Sequence, residues 1–595
     1  MDESSTHLSE FLFGRLSTPQ GRAEAVTART TGRPCLLPLD PLDPTPGQPI
    51  TVRVVAGVGL AVERMVLTWT ADGSTPSSPQ DESTGGNRVE LTAGEPRWET
   101  ISWGYVTEWA ATLPGQAERT LVRFRIAART RGGRWVDATG RSATSVVEST
   151  PVQTVHVDDD RVPTWLREAV VYHVFLDRFA PDPGAAFPAR RDLGQVHGGT
   201  IRGLRSKLDD IADLGVTALW LSPLHPCPSY HGYDPTDLGA VEPRLGTLDD
   251  WHDLAKAARD RGLRLILDFV ANHVSDRHPA FVAATKDRQG PYRDWFYFDE
   301  WPHRYRCFFA VRHMPILNTS HPAVRAHLIE QAALWLDRGA AGFRLDHAHG
   351  PGPGFWAEFR GALRARHPDC ALIGEITDPP DELRTYSGRM DGCLDFVLAE
   401  ALRGFFAADR LPAERLAALL ERHFAYFGDR LCMPSFLDNH DMNRFLWVAR
   451  GDRRRLRLAA LCQFTLPDPP VVYYGTEVGL SQNAAVGRLE EARLPMPWDD
   501  RRDLALRGYY QALIRLRRSR PAGWPPPQVL LADTSRRLLA YRAGGSVVVL
   551  NNGDQAVTLD PRPFGAERVV FATDLGVGGA GGGLHLPPRT GVVLA

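Results

Sequence analysis

The stretch LRLILDFV at residues 263–270 decides the fold. It has strand length and is almost continuously apolar, as a strand buried on both faces must be. The preceding segment, TLDDWHDLAKAARDRG at 247–262, has the apolar spacing of an amphipathic helix. The same alternation continues in both directions. Upstream lie the strands VVYHVFLDRF (170–179) and TALWLSP (217–223), with the helix IRGLRSKLDDIADLG (201–215) between them. Downstream come helix 324–339, strand GFRLDHA (342–348), helix 355–367, strand ALIGEIT (371–377), a sixth strand within DGCLDFVLAE (391–400) and helix 412–427. Strand CMPSFLDNHD (432–441), helix 455–466, strand PPVVYYGTE (469–477) and helix 506–520 complete the series. Right-handed crossovers make a parallel sheet the default for such a chain. Roughly eight βα units predict a (β/α)₈ TIM barrel over 159–518, with a doubly wound open sheet as the alternative.

The flanks read as β-structure. In residues 1–158, ITVRVVAG (50–57), MVLTWT (65–70) and LVRFRIAART (121–130) are separated by Pro-, Gly- and Ser-rich turns, which predicts an N-terminal β-sandwich. The first 30 or so residues are less regular and read as partly helical or loose. Residues 519–595 predict a small C-terminal antiparallel β-sandwich, with GVGGAGGG as a turn. A long irregular insert at about 275–320 follows the third barrel strand.

A net charge of −2 gives no long-range attraction for nucleic acid or an anionic membrane surface. No run of about 18 apolar residues is present, so no membrane span is expected. MDESSTHLSE lacks the basic start and apolar run of a secretory signal, which makes a cytoplasmic location the expectation. The seven cysteines are scattered without a C-x-x-C pair, so buried free thiols are expected, with neither zinc site nor disulfide framework.

All strand C-termini of a βα barrel open onto one face, so polar residues there are the functional candidates. They are Asp268, Asn272 and His273 after strand three, Arg344 and Asp346 on strand four, and Glu375 on strand five. His440 and Asp441 end strand seven, and the strand-two loop adds His231, Tyr233 and Asp234. Alternation turns Arg344 and Asp346 one way and Phe343, Leu345 and His347 the other. One carboxylate alone would be a structural ion-pair partner; Asp346, Glu375 and Asp441 at three strand ends make a site. Glycosidic cleavage needs a protonated carboxylic acid and a carboxylate that attacks or supports the oxocarbenium-like carbon. The adjacent Arg344 is expected to keep Asp346 ionised. Glu375 has no cation next to it in sequence, which suits a retained proton. His273 and His440 offer hydrogen bonds to hydroxyls, and Tyr233 a ring for stacking.

These residues fall in motifs that resemble the α-amylase superfamily, glycoside hydrolase family 13. DFVANH (268–273), GFRLD (342–346), GEITD (374–378) and FLDNHD (436–441) resemble its four signatures in order, and HGYD (231–234) and PPVVYYGTE also fit. The resemblance implies Asp346 as nucleophile, Glu375 as acid/base and Asp441 as the stabiliser that grips ring hydroxyls. It places Arg344, His273, His440 and Tyr233 around the first sugar and makes the insert the family's domain B. MPILN (314–318) and the extra N-terminal domain resemble the neopullulanase, cyclomaltodextrinase and maltogenic amylase group. That implies short or cyclic α-glucan substrates, with cleavage of α-1,4 or α-1,6 bonds, and a homodimer through the N-terminal domain. A starch-binding or merely stabilising module is the competing role for that domain.

The sequence departs from the group at Ile316, where lysine is common, in HAHG (347–350), and at Thr377 and Asp378, where tryptophan is frequent. APDPGAA (180–186) is too poor in oxygen ligands for a calcium loop, although Asn272 matches a position that holds calcium in many relatives; no cofactor or metal is expected. Transglycosylation by the same intermediate and a non-catalytic binding module are the alternatives. Trp295, Phe296, Tyr297 and Trp301 in the insert are read either as sugar-stacking walls or as its core.

Overall fold

The computed structural model describes residues 33–81, 86–100, 103–139, 152–188, 192–484, 489–520, 525–566, 568–574, 576–580 and 583–595. The reading of the first 30 residues lies outside them.

The barrel strands are β1 (Val171–Val174), β2 (Ala218–Leu221), β3 (Arg264–Val270), β4 (Gly342–Asp346), β5 (Ala371–Gly374), β6 (Gly392–Cys393), β7 (Ser435–Phe436) and β8 (Pro470–Tyr473). They pair in parallel in the order β6-β5-β4-β3-β2-β1-β8-β7. The ends meet through Cys393 N to Cys432 O (3.0 Å), Cys432 N to Asp391 O (2.8 Å) and Asp395 N to Pro434 O (3.0 Å). The sheet is therefore a closed barrel, and the open-sheet alternative falls. CMPSFLDNHD is strand only at Ser435–Phe436; the polar residues after it are loop.

Alternation sorts each strand. In β3, Leu265, Leu267 and Phe269 pack outward under the helices, while Ile266 joins Val171, Ala218, Trp220, Ile373 and Phe436 inside the barrel. Above that apolar floor the next inward positions are polar: Asp268 pairs in register with Arg344, and Asp346 lies two residues higher. Gly342 is required at the start of β4 because a Cβ there would run into the Ala371 carbonyl. The helix Leu248–Asp260 shows how the outer layer is held. Thr247 and Asp250 form a reciprocal capping box, and Trp251, Leu254, Ala255 and Ala258 bury one face. Losing such a cap costs about 1 kcal/mol.

Two five-stranded antiparallel sheets form the N-terminal sandwich around Val52, Val54, Met65, Leu67, Phe124 and Ile126. Its last strand, Val152–Val157, packs against the helix Pro353–Arg366 that follows β4. There Asp158 accepts a hydrogen bond from His156 (2.6 Å) and pairs with Arg360 (3.2 Å). Five- and three-stranded sheets form the C-terminal domain. Part of GVGGAGGG, read as a turn, is the strand Gly578–Ala580. None of the seven cysteines forms a disulfide; four are buried, while Cys35, Cys227 and Cys307 are half-buried rather than enclosed. Among the described residues no helix is long and apolar enough to cross a membrane.

The insert after β3 contains the helix Pro279–Lys286 and a hairpin of Phe298–Glu300 with Arg304–Tyr305. MPILN runs antiparallel beside the end of β3, with Val274 N donating to Pro315 O (3.2 Å) and Leu317 N to Asn272 O (3.0 Å). The aromatic residues of the insert mostly form its core. Phe296 is buried against Phe281 (4.9 Å), and the Trp301 indole donates to Ala284 O (2.9 Å).

Candidate active site

Arg344 organises the barrel mouth. It is fully buried, and its Nη1 donates to Asp268 Oδ1 (2.6 Å) and Asp346 Oδ1 (2.9 Å). Its Nη2 lies 2.5 Å from Glu375 Oε1, out of line for a hydrogen bond but an ion pair. One planar guanidinium thus joins strands β3, β4 and β5. Glu375 has no cationic neighbour in sequence, yet the fold gives it this one. Its other oxygen accepts from the His347 backbone N–H (3.2 Å).

A second cluster faces the first. The Tyr233 hydroxyl donates to Asp268 Oδ2 (2.9 Å), lies 2.7 Å from His440 Nε2, and its ring stacks on the His440 ring at 5.3 Å. His440 Nε2 is 3.0 Å from Asp441 Oδ2. Arg493 clamps the other side of Asp441, donating to its Oδ1 (2.7 Å), to His440 O (2.9 Å) and to the Tyr230 hydroxyl (2.7 Å). Trp220, on β2, donates to Asp268 Oδ2 (3.2 Å), and its indole stacks on His173 of β1 at 3.6 Å.

Electrostatics separate the carboxylates. Burial pushes Asp346 well above the usual carboxylate range, and Arg344 only partly offsets it. The expectation that Arg344 alone would set this group low is corrected: the same guanidinium is shared with Asp268 and Glu375, and removal from water outweighs its share. Burial also raises Glu375, again against Arg344. The two titrate as a pair, and the state with one proton extends upward in pH. Asp441 goes the other way: burial would raise it, but His440 and Arg493 outweigh burial and hold it below the usual range. Burial keeps His231 down to about 3 and His273 to about 4, so both rings are neutral at pH 7.

The structure brings Asp268, Arg344, Asp346, Glu375, Tyr233, His440 and Asp441 into one network. His231 and His273 stand beside it, with His273 Nε2 held 2.8 Å from Tyr233 O. Asp234 and Asn272 turn inward instead. Asp234 accepts from Ser229, and Asn272 Nδ2 lies 3.1 Å from His273 Nδ1. They shape the loops that carry Tyr233 and His273. His347 does not pack under the helices as strict alternation predicts. Its φ of 39° ends the strand and sets the ring against Phe308 (4.9 Å) and Phe309 (5.5 Å) of the insert. Sequence reasoning missed Phe308, which also stacks on His273 at 4.5 Å. It missed Arg493 as well, which ends the short 3-10 helix Leu489–Arg493 beyond β8, a single turn too brief to carry a periodic pattern. Among the described residues no group of three or more His, Cys, Asp and Glu side chains is placed to hold a metal ion.

A (β/α)₈ barrel with carboxylates from strands β3, β4 and β5 gathered on one buried arginine, and Asp441 clamped opposite, defines a barrel protein with a carboxylate-centred cleft. The chain belongs to the alpha-amylase family: the model of the alpha-amylase catalytic domain matches residues 173–512. Over 377 residues the chain is 38% identical to Alpha-amylase 2 of Dictyoglomus thermophilum, covering 62% of this chain and 66% of that protein, just under two thirds of its length. It is 32% identical over 424 residues to a cyclomaltodextrinase of a Bacillus species, covering 67% of this chain and 75% of that one. The solved cyclic alpha-maltosyl-(1→6)-maltose hydrolase of Arthrobacter globiformis, in complex with maltose, matches with a TM-score of 0.65 and 28% identity, over 73% of this chain and 100% of that chain.

Proposed function

We propose that this chain is a retaining α-glycoside hydrolase that cleaves α-glucosidic bonds of short or cyclic α-glucans. The observation that carries the reading is the pairing of Asp346 and Glu375 with the two terminal nitrogens of one guanidinium. Such sharing favours the close spacing of about 5–5.5 Å used for covalent attack over the wider gap that an inverting pair leaves for water.

In this mechanism Glu375 enters as the acid and gives its proton to the glycosidic oxygen as the C1–O bond breaks. An Asp346 carboxylate oxygen bonds to C1, forming a glycosyl-enzyme. Glu375, now a carboxylate, takes a proton from water as that water attacks C1 and releases Asp346. Asp441, kept ionised by His440 and Arg493, accepts hydrogen bonds from ring hydroxyls. Tyr233 presents its ring, and neutral His231 and His273 exchange hydrogen bonds with hydroxyls. Supply of a sugar hydroxyl in place of water turns the second step into transglycosylation.

Short or cyclic substrates are favoured by the similarity to a cyclomaltodextrinase and a cyclic alpha-maltosyl-(1→6)-maltose hydrolase, and by Phe308 and Phe309, whose rings stand against His273 and His347. No calcium dependence is expected, given the ligand-poor segment at 180–186. The test is a panel of starch, pullulan, cyclodextrins, maltotriose, panose and isomaltose, with product anomers followed by NMR from the first turnover. Initial α-anomer and a higher kcat/KM on small or cyclic sugars are expected. Initial β-anomer overturns the mechanism, and equal handling of starch overturns the size preference.

A further inference from the structure

The seam between the N-terminal sandwich and the barrel holds a half-open cavity of about 260 Å³ that the proposed chemistry does not use. The sandwich wall comes from LVRFRIAART. Alternation along that strand puts Val122, Phe124 and Ile126 in the core and turns Arg123 and Arg125 to the opposite face, where they line the cavity. The barrel wall is Arg325 of the helix Pro322–Asp337, Glu358, and the first turn of the helix Pro353–Arg366.

The charges in this lining do not balance. Glu358 Oε2 pairs with both Arg123 Nη2 (2.7 Å) and Arg325 Nε (2.7 Å), so one carboxylate serves two guanidiniums. Arg325 is further fixed by donating to Ser320 O (2.7 Å). Arg125 is a third cation with no carboxylate in the lining left for it, and its Nε is buried without a hydrogen-bond partner. A buried donor left unmatched in this way costs free energy that a bound acceptor recovers. The helix that opens at Gly352 has no side-chain cap, so its first N–H groups add positive partial charge along the same wall.

We propose that this cavity binds a small oxyanion of the phosphate class, either free or carried as the phosphoryl group of a sugar phosphate. Arg125 and the uncapped helix start hold it, with Arg123 and Arg325 supplying the surrounding field. The helix start is reached six residues beyond Asp346, and Ser320 follows MPILN by two, so occupancy ties the sandwich to the loop after β4 and to the end of the insert. The inference rests on the charge of the seam and stands independently of the proposed glycosidase chemistry.

The test is titration calorimetry on the full chain at constant ionic strength, with inorganic phosphate in one arm and a hexose 6-phosphate in the other, each against a chloride background. One saturable site per chain with a Kd below about 1 mM is expected. Arg125→Gln should weaken it about tenfold or more, and Arg125→Lys should restore most of the affinity. Arg125 lies outside the Glu358 ion pairs, so the ligand-free melting temperature of both variants should match the parent. Binding of inorganic phosphate identifies the free anion as sufficient; binding of the hexose phosphate alone identifies the carried group. No saturable heat in either arm, or unchanged affinity in Arg125→Gln, overturns the proposal.

Discussion

Replacing Arg344 by glutamine removes the cation shared by Asp268, Asp346 and Glu375 while leaving a side chain of similar length. In the parent, burial already drives Asp346 toward its neutral form, and Arg344 is the main influence against it. Taking charge centres about 4 Å apart at an effective dielectric of about 20, the lost attraction at Asp346 is about 4 kcal/mol. At 1.4 kcal/mol per decade that corresponds to roughly three orders of magnitude in the fraction of ionised nucleophile. The expected result at pH 7 is a fall in kcat/KM of about 10³-fold, with the acid limb of the pH–rate profile displaced upward. The direction follows from the chemistry: an attacking carboxylate must be deprotonated, so stabilising its neutral form demands higher pH. Arg344→Lys should recover part of the loss, since an ammonium restores charge but not the fork across β3, β4 and β5. The assay is steady-state hydrolysis of a short maltooligosaccharide from pH 4 to 9, with circular dichroism to establish folding. A folded Arg344→Gln variant that keeps the parent pH profile and loses less than about tenfold in kcat/KM would refute the reasoning.

Asp346→Asn and Glu375→Gln should each lower kcat by several orders of magnitude, since each removes a step that has no substitute; near-normal turnover in either overturns its assigned role. In the parent, kcat/KM should be bell-shaped and centred above the ordinary carboxylate range, because burial raises both members of the Asp346 and Glu375 pair; an optimum near pH 4 would contradict this. Phe308→Ala should raise KM more than it lowers kcat, because the ring supports His273 and His347 without touching the reacting carbon; an unchanged KM removes it from the site. At the domain seam, burial acts to raise Asp158, but His156 and Arg360 outweigh it and lower it from 3.8 to about 2. A depressed carboxylate gives stability that is present above its unfolded value and lost as pH falls toward the folded one. Asp158→Asn should therefore cost roughly 2 kcal/mol at pH 7, with the difference narrowing below about pH 4; a constant difference in denaturant melts from pH 7 to 2.5 would exclude this origin.

Much of the barrel was legible because its signals are local. Period-two and period-3.6 patterns report burial directly, so LRLILDFV and its helix declare themselves before any contact is known. The polar residues at strand ends were legible for the same reason: Asp268, Arg344, Asp346 and Glu375 each interrupt an apolar run, and the topology puts such interruptions on one face. What only the tertiary structure decided concerns residues distant in sequence or released from regular structure. Arg344 serves Glu375 across β4 and β5, 31 positions away, so a glutamate with no cation beside it in sequence gains one in the fold. Arg493 reaches Asp441 from the end of a 3-10 helix too short to show periodicity. Positive φ at His347 turned that ring toward the mouth against the alternation rule, and the insert aromatics divided between its own core and the site. Asp234 and Asn272 sit in motifs that look like sugar contacts, yet their hydrogen bonds are spent on Ser229 and His273. Pattern fixes which face of an element a residue occupies. Charge state and reach depend on which groups lie opposite once water is excluded, and that is a property of the folded chain alone.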